Sequence, residues 1–349
     1  MLFGARINLI YGERSNGKSY QLKHKKAIEK YLKTGKRFIL MRRLREEITT
    51  EKVEQYFQDV DIPKLTKGKY NCITLYRKNL FLSVYDNETG KTKRYEKIGY
   101  VVALSTEQNY AGASYLDVED IIFEEFMSRS VYLPNEPNKL MNFYATVDRK
   151  RLKVRLWLVG NTISRVCPYI NEWNLHKLIS TQKQGTILIQ EIKDVIEDNP
   201  PIKIAMEYCL STGRSSGTIG TNAMMINTGA WETKPQPHLP KSYKKYKVLY
   251  RIGFQYQNFK FIGEYLFDNI LKEKLWFIRP YNKTFSDSII VFSDQIKTSK
   301  LWQRDIYNIS INNDRLKKLF LNFRENNIFY SDDMTGTDFK QVIDFQIRR

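Results

Sequence analysis

Soft and imidazole ligands are scarce in this 349-residue chain, with three cysteines and three histidines, and neither set is grouped. Cys72, Cys167 and Cys209 are far apart and show no C-x-x-C spacing. That excludes a disulfide framework and a zinc ribbon, and it suits a reducing cytoplasm. His24, His176 and His238 pair with none of the thiols. No apolar stretch approaches the roughly 20 residues a membrane span needs, and the start has no signal-peptide h-region, so no membrane partner is expected. Internal repeats and low-complexity tracts are absent as well. Acidic residues are in deficit: 38 Asp plus Glu against 57 Lys plus Arg leave a formal charge of +19. Such a charge says nothing about fold. It favours a polyanionic partner, nucleic acid ahead of a membrane, over mere solubility. The length suggests two domains, and a hydrophobic content of 42% is enough for real cores.

What is present is dominated by one stretch. Gly12-Glu13-Arg14-Ser15-Asn16-Gly17-Lys18-Ser19 fits G-x-x-x-x-G-K-[ST], the Walker A pattern. An apolar run of strand length, Arg6 to Tyr11, precedes it, and a helical pattern from Tyr20 to Leu32 follows. Strand, glycine loop and helix together separate a phosphate site from a chance turn. The glycines let the backbone wrap an anion, and free N–H groups at the helix start point at it with the helix dipole behind them. Lys18 would reach the β- and γ-phosphates of ATP, and the Ser19 hydroxyl would hold Mg²⁺.

Strand and helix signals alternate through the first half. Arg37–Arg42, Thr74–Val84, Lys93–Leu104, Asp120–Phe123, Leu152–Val159 and Thr186–Ile192 read as strands, and Glu46–Asp59 reads as a helix. This pattern predicts an α/β fold with a mostly parallel sheet. Asn199-Pro200-Pro201 marks a shift in composition, and 202–210 reads as a short helix. Gly213, Gly217, Pro235, Pro237 and Pro240 then suggest a lid and linker. The expected division is 1–197 for a P-loop ATPase domain, 198–243 for the lid and linker, and 244–349 for a second α+β domain. Strands are expected in the second domain at Tyr246–Tyr256, Phe259–Leu266 and Leu275–Ile278, with helices at Asn313–Phe323 and Asp338–Phe345.

Hydrolysis needs more than a phosphate cradle. Ile121-Ile122-Phe123 runs into Glu124-Glu125, so an apolar strand ends in two carboxylates. The first would act on Mg²⁺ through water, and the second would polarise an attacking water. Asn161-Thr162, at the end of the next strand, is either a γ-phosphate sensor or a turn cap. Arg149, Lys150 and Arg151 form a basic run that is either solvated or supplies an arginine to a neighbour's nucleotide. Arg77, Lys78, Lys91, Lys93 and Arg94 are interleaved with Tyr76, Phe81, Tyr85 and Tyr95 around a turn at Asp86–Gly90. These residues are candidates for tracking DNA phosphates, set against an ordinary exposed hairpin edge.

Longer matches now add to these. They are Asn8-Leu9-Ile10-Tyr11-Gly12-x-Arg14-x-x-Gly17-Lys18-Ser19-Tyr20, Phe38-Ile39-x-x-Arg42-Arg43, Ile122-Phe123-Glu124-Glu125-Phe126, Tyr132-Leu133-Pro134-Asn135-Glu136, Thr146-Val147-x-Arg149-x-Arg151, and Asn161 followed by Pro168-Tyr169. In this order they resemble the DNA encapsidation (genome packaging) ATPases of phi-twenty-nine-type podoviruses, from about Asn8 to the C-terminus and most strongly through Ile192. The resemblance implies an ASCE-type P-loop motor with its catalytic glutamate on an added strand. It implies a homomeric ring, five subunits in function, at the portal (connector) vertex of a procapsid in the host cytoplasm, where ATP drives double-stranded DNA into the head. It leaves open whether a packaging RNA joins the motor.

Carried over residue by residue, the resemblance gives Lys18 and Ser19 the phosphates and Mg²⁺, Glu124 the Walker B position, and Glu125 the role of catalytic glutamate. Arg149 becomes the trans-acting arginine finger, with Arg151 as the alternative. Arg14 becomes a cation that could hold the glutamate off. Glu124 is a departure, since a relative in that family has Asp at this position. The C-terminal domain resembles a vestigial RNase H-like nuclease. Tyr246–Tyr256 has no Asp or Glu, and Asp332, Asp333 and Asp338 have no partner on that strand, so nuclease activity is not expected. The competing reading is another P-loop nucleic-acid motor, a helicase or a nuclease-bearing terminase. A helicase should prefer single strands and unwind forks, and the C-terminal half has no second Walker-like loop.

Overall fold

A computed structural model describes residues 4–14, 16–110, 112–128, 132–162, 164–193, 200–211, 231, 233–256, 258–293, 302–303, 314–325 and 327–347. The chain forms two compact units. Among the described residues the first comprises 4–162, 167–211 and Trp231; the second comprises Ser164–Val166 and 233–347.

The first unit is built on nine strands: β1 (Ile7–Gly12), β2 (Arg37–Arg42), β3 (Cys72–Tyr76), β4 (Asn79–Tyr85), β5 (Thr92–Ala103), β6 (Val118–Glu124), β7 (Arg155–Asn161), β8 (Thr186–Ile192) and β9 (Ile202–Tyr208). Their order is β3-β4-β5-β2-β6-β7-β1-β9-β8. Pairings from β5 through β9 are parallel, and the edges carry antiparallel additions, β3–β4–β5 on one side and β8 on the other. β1 and β2 are apolar on both faces, as strands covered on both sides should be. On one face Ile122, Leu40 and Trp157 pack with Leu22, Ala27 and Ile28 of the helix after the glycine loop. On the other, Phe123 meets Tyr169 edge-on at 6.0 Å, since neighbouring strand residues point to opposite faces. All parallel strands end on one side, where ligands of such sheets bind.

Three expectations need correction. Residues 202–208 are not helical. They form β9, paired with β1 and β8, with Ile204, Ala205 and Met206 fully buried, so the lid-and-linker stretch cannot start at 198. Residues 212–230, where the lid was expected, fall outside the described residues. Thr74–Val84 is not one strand but two, β3 and β4, joined by Arg77 and Lys78 in left-handed backbone (φ 45° and 63°). Two consecutive positive φ values make the tight turn that matches strand twist, and it is usually signalled by Asn or Gly. The added strand is β7, between β1 and β6; it carries Asn161, while Glu124 closes β6 and Glu125 follows it.

The second unit is a six-stranded sheet of β10 (Tyr246–Tyr256), β11 (Phe259–Asp268), β12 (Lys274–Pro280), β13 (Ile290–Ser293), β14 (Trp302–Gln303) and β15 (Ile328–Tyr330), in the order β14-β13-β10-β11-β12-β15. β10–β11–β12 is an antiparallel meander, and β13 and β14 run parallel to β10. Phe254, Trp276 and Ile278 form a core with Phe339, Val342 and Ile343 of the helix Asp333–Ile347. Val166 joins that core, and Arg165 pairs with buried Asp338 at 2.6 Å.

The opposite face of this sheet holds Glu264, fully buried and bonded by Arg251 (2.7 Å), Arg279 (3.1 Å) and Tyr243 (2.7 Å). Burial alone would raise its pKa, but the bonds from Arg279, Arg251 and Tyr243 outweigh that and hold the carboxyl below its usual range. A carboxylate with a lowered folded-state pKa adds stability at neutral pH and loses it as the pH falls through that pKa. Glu264→Gln is therefore expected to weaken hydrogen-exchange protection of β10–β12 at pH 7 by about 1–3 kcal/mol. The difference from wild type should shrink in acid; a constant difference would show that the ladder's charge is irrelevant.

Candidate nucleotide site

The loop leaving β1 is shaped by its two glycines. Gly17 is left-handed (φ 85°) at the N-cap of the helix beginning with Lys18, a conformation costly for other residues. At Gly12 a Cβ would come within 3.1 Å of the Cys209 Cβ and 3.3 Å of the Asn16 side chain. The loop thus closes tightly against the chain leaving β9. Glu13 is buried under it and accepts a 2.6 Å bond from the Ser211 hydroxyl.

Lys18 bridges the loop to β7. Its Nζ donates to Asn16 Oδ1 at 2.9 Å, Asn161 Oδ1 at 3.3 Å and the carbonyls of Gly12 and Glu13. Burial lowers its pKa, and Cys209, Glu124 and Glu13 oppose that shift. An anion in the loop would further favour the charged ammonium. Asn161 and Thr162 both face the glycine loop. Asn161 shares the lysine, whereas the Thr162 N–H bonds to the Gly12 carbonyl at 3.3 Å and fixes the loop to the strand.

The Ser19 hydroxyl donates to Glu124 Oε2 at 2.9 Å, so the helix start and the β6 end converge. Glu124 is also held by Tyr56, whose hydroxyl donates to Oε1 at 2.5 Å. Tyr56 is clamped in turn by Lys23, 4.4 Å from its ring and 2.6 Å from its carbonyl, with Asp59 as the lysine's other partner. Burial raises the pKa of Glu124 despite bonds from Tyr56 and Ser19. Two hard oxygen groups side by side suit Mg²⁺.

Glu125 has left-handed backbone (φ 58°) and a mostly exposed carboxylate. Its backbone is fixed from behind. Arg43 donates to the carbonyls of Glu125 (3.1 Å) and Phe126 (2.9 Å) while its Nε lies 3.0 and 2.9 Å from the two oxygens of buried Glu136. Tyr169 and the Leu133 N–H complete Glu136, each at 2.7 Å. The left-handed turn is thereby over-determined, as strained functional positions usually are. Among the described residues Arg42 stands at ion-pair distance from Glu125, at 3.5 Å, while Arg14 shares the cleft with it.

Arg14, Asn16, Gly17, Lys18, Ser19, Asp59, Glu124, Glu125 and Asn161 line one cleft of about 440 Å³. Ser15 lies outside the described residues. Arg149 does not line the cleft; it sits exposed past the helix Glu136–Asp148, with Nη2 on the carbonyls of Ala113 (2.9 Å) and Gly112 (3.3 Å). Arg151, the alternative, spends its guanidinium on the carbonyls of Val147, Leu116, Asp148, Val118 and Tyr115 at 2.7–3.2 Å. Of the basic edge residues, Arg94 and Arg77 flank the exposed Tyr76 ring at 4.7 and 5.1 Å, and Lys93 covers Tyr95 at 5.2 Å. Lys78 turns toward Tyr110 at 5.3 Å, and Lys91 lies beyond the β4–β5 turn.

Sequence reasoning gave Tyr56, Asp59 and Arg42 no role at the site. Only folding brings Tyr56 to Glu124, 68 positions away. The one local hint was Arg42-Arg43 at the end of an apolar strand.

The family model for podovirus DNA encapsidation proteins (Gp16) matches residues 1–198. A DNA packaging protein of Bacillus phage B103 is 29% identical over 233 residues, 63% of this chain and 64% of that protein. A DNA packaging protein of Bacillus phage phi29 is 33% identical over 177 residues, 48% of this chain and 46% of that one. The matched stretch is thus less than two thirds of either relative's length. A chain of the bacteriophage Phi-29 viral genome packaging motor assembly shares the fold, with a TM-score of 0.58 at 21% identity over 98% of this chain and 96% of that one.

Proposed function

This chain belongs to the podovirus DNA encapsidation protein family, and on that footing we propose that it is the ATPase of a genome-packaging motor that drives double-stranded DNA into a procapsid. The observation that carries the reading is the single cleft in which Lys18, Ser19, Glu124, Glu125 and Asn161 converge. Backbone N–H groups of 12–19 and the Lys18 ammonium bind the triphosphate. Ser19, directly, and Glu124, through water, would hold Mg²⁺, which when bound neutralises charge on the β- and γ-oxygens. Glu125 accepts a proton from the attacking water, and Asn161 senses the γ-phosphate from the tip of β7. Arg42, beside Glu125, holds that carboxylate when no water is in line.

Arg149, exposed and away from its own cleft, is the residue we assign to bring a positive charge to the transition state of a neighbouring copy. Arg151 is unsuited because its donors are already engaged. Alternating supply of Arg149 around a homomeric ring of five, seated on the portal vertex in the host cytoplasm, would make firing sequential. The Tyr76 edge, with Arg77 and Arg94, offers cations and ring faces to DNA phosphates. In the second unit, β12-β11-β10-β13-β14 has the strand order of an RNase H-type sheet. Among the described residues no group of three potential metal ligands is gathered. Asp332 accepts bonds from Thr335 and Ser331, Asp333 from the Gln236 N–H, and Asp338 pairs with Arg165. We read it as a nuclease-like domain that does not cut.

The test is ATP turnover with and without duplex DNA. Duplex should stimulate wild type severalfold, and Lys18→Ala should lose ATP binding and stimulation together. If Lys18→Ala kept both, the protein would be a basic scaffold on a nucleotide-shaped fold.

A further inference from the structure

The turn after the helix Glu136–Asp148 is unusual chemistry for a helix end. A left-handed C-cap normally falls to glycine, which adopts it at no steric cost. Here Arg149, Lys150 and Leu152 are all left-handed, with φ of 46°, 62° and 55°. Three such residues within four positions persist only where the surroundings fix them.

Two side chains do so. Asp148, almost fully buried, accepts three backbone N–H groups: Leu152 on Oδ2 at 3.0 Å, and Lys153 and Val154 on Oδ1 at 3.1 and 3.0 Å. Arg151 turns back and staples the turn to the helix end through Val147 and Asp148, and to the segment before β6 through Tyr115, Leu116 and Val118. Arg149 and Lys150 are left exposed at the apex, and Arg149 donates from one nitrogen, Nη2, to two carbonyls.

We propose that Asp148 and Arg151 are positioning residues that mount Arg149 for delivery to a neighbouring subunit's nucleotide. This rests on the reading that Arg149 acts in trans. A guanidinium that must meet a transition state across an interface gains from a backbone that cannot yield, because small misplacements of a catalytic group are costly in rate. Glycine at the apex would relax the turn and loosen the mount. The strain is thus explained by delivery, which a plain helix stop does not need.

Asp148→Asn, which cannot accept all three N–H groups, should lower DNA-stimulated turnover on the order of tenfold to a hundredfold while ATP affinity stays within about twofold. Arg151→Lys is run in parallel, since it loosens the same turn without touching the carboxylate. Each variant is then mixed with Glu125→Gln subunits, which cannot hydrolyse but carry an intact Arg149, and single-turnover hydrolysis is read with duplex DNA present. Recovery is expected, because the Glu125→Gln neighbour supplies the correctly mounted arginine to an intact site. A residue that merely stabilised its own subunit would show no recovery. Arg149→Ala mixed with Glu125→Gln is the control. If that pair recovers and the Asp148→Asn and Arg151→Lys pairs do not, the mounting role is overturned. If the control itself fails to recover, the trans reading falls, and this proposal with it.

Discussion

Glu125→Gln is expected to bind ATP as wild type does and to turn it over about 10²–10⁴-fold more slowly. The substitution keeps the size of the side chain and removes only its capacity to take a proton. Everything that grips the triphosphate is elsewhere, in the loop, Lys18 and Ser19. The backbone at residue 125 should also hold, because Arg43 bonds the carbonyls of Glu125 and Phe126, not the side chain. A fluorescent-nucleotide titration beside a phosphate-release assay separates the two quantities. Turnover within twofold of wild type would remove Glu125 from the chemistry. Glu124→Gln should behave differently: its oxygens bond Ser19 and Tyr56, so its loss should appear first as a higher Mg²⁺ requirement.

The second large effect is expected for Arg149→Ala. Arginine fingers contribute about 10³–10⁵ in rate, so a preparation of Arg149→Ala alone should lose DNA-stimulated hydrolysis almost completely. Its fold should be unaffected to within about 0.5 kcal/mol, as for other exposed side chains. Doping the variant into wild type is more informative. Each altered subunit disables a neighbour's site and interrupts a sequential ring, so activity should fall faster than the fraction of variant. A strictly proportional decline would show that Arg149 serves its own subunit or none.

Most of the residues that line the cleft were legible in the sequence because they are locally encoded. The glycine loop, its lysine and the glutamate pair occupy fixed offsets beside apolar runs, and the fold placed them in one cleft. The sheet was legible where strands are buried on both faces and read as uninterrupted apolar stretches, as in β1, β2 and β6. Ile202–Tyr208 misled because Ala205, Met206 and Glu207 favour helices. Pairing of β9 with β1 on one side and β8 on the other overrode that preference. The Arg77-Lys78 turn was invisible because neither residue advertises positive φ.

Support around the site was the least legible part. Tyr56 on Glu124, Arg42 on Glu125 and the Arg43–Glu136–Tyr169 cluster join distant segments, and no local pattern announces them. Spacing could not choose between Arg149 and Arg151 either. In the fold the Arg151 guanidinium bonds five backbone carbonyls, whereas Arg149 is exposed and bonds two through Nη2, and the proposed assignment of the finger to Arg149 rests on that difference. The Glu124 side chain also gains a physical context, since Tyr56 and Ser19 each hold one of its oxygens.

The central claim is that this ATP site drives duplex DNA into a capsid. Its most direct measurement is nuclease protection: duplex genome, purified procapsids and the protein are mixed with ATP, and DNA that survives nuclease digestion is measured. Protection of genome-length DNA is expected with ATP and wild type, and none with a non-hydrolysable analogue or with Glu125→Gln. Equal protection without hydrolysis, or efficient hydrolysis with no protected DNA in otherwise competent procapsids, would contradict the account.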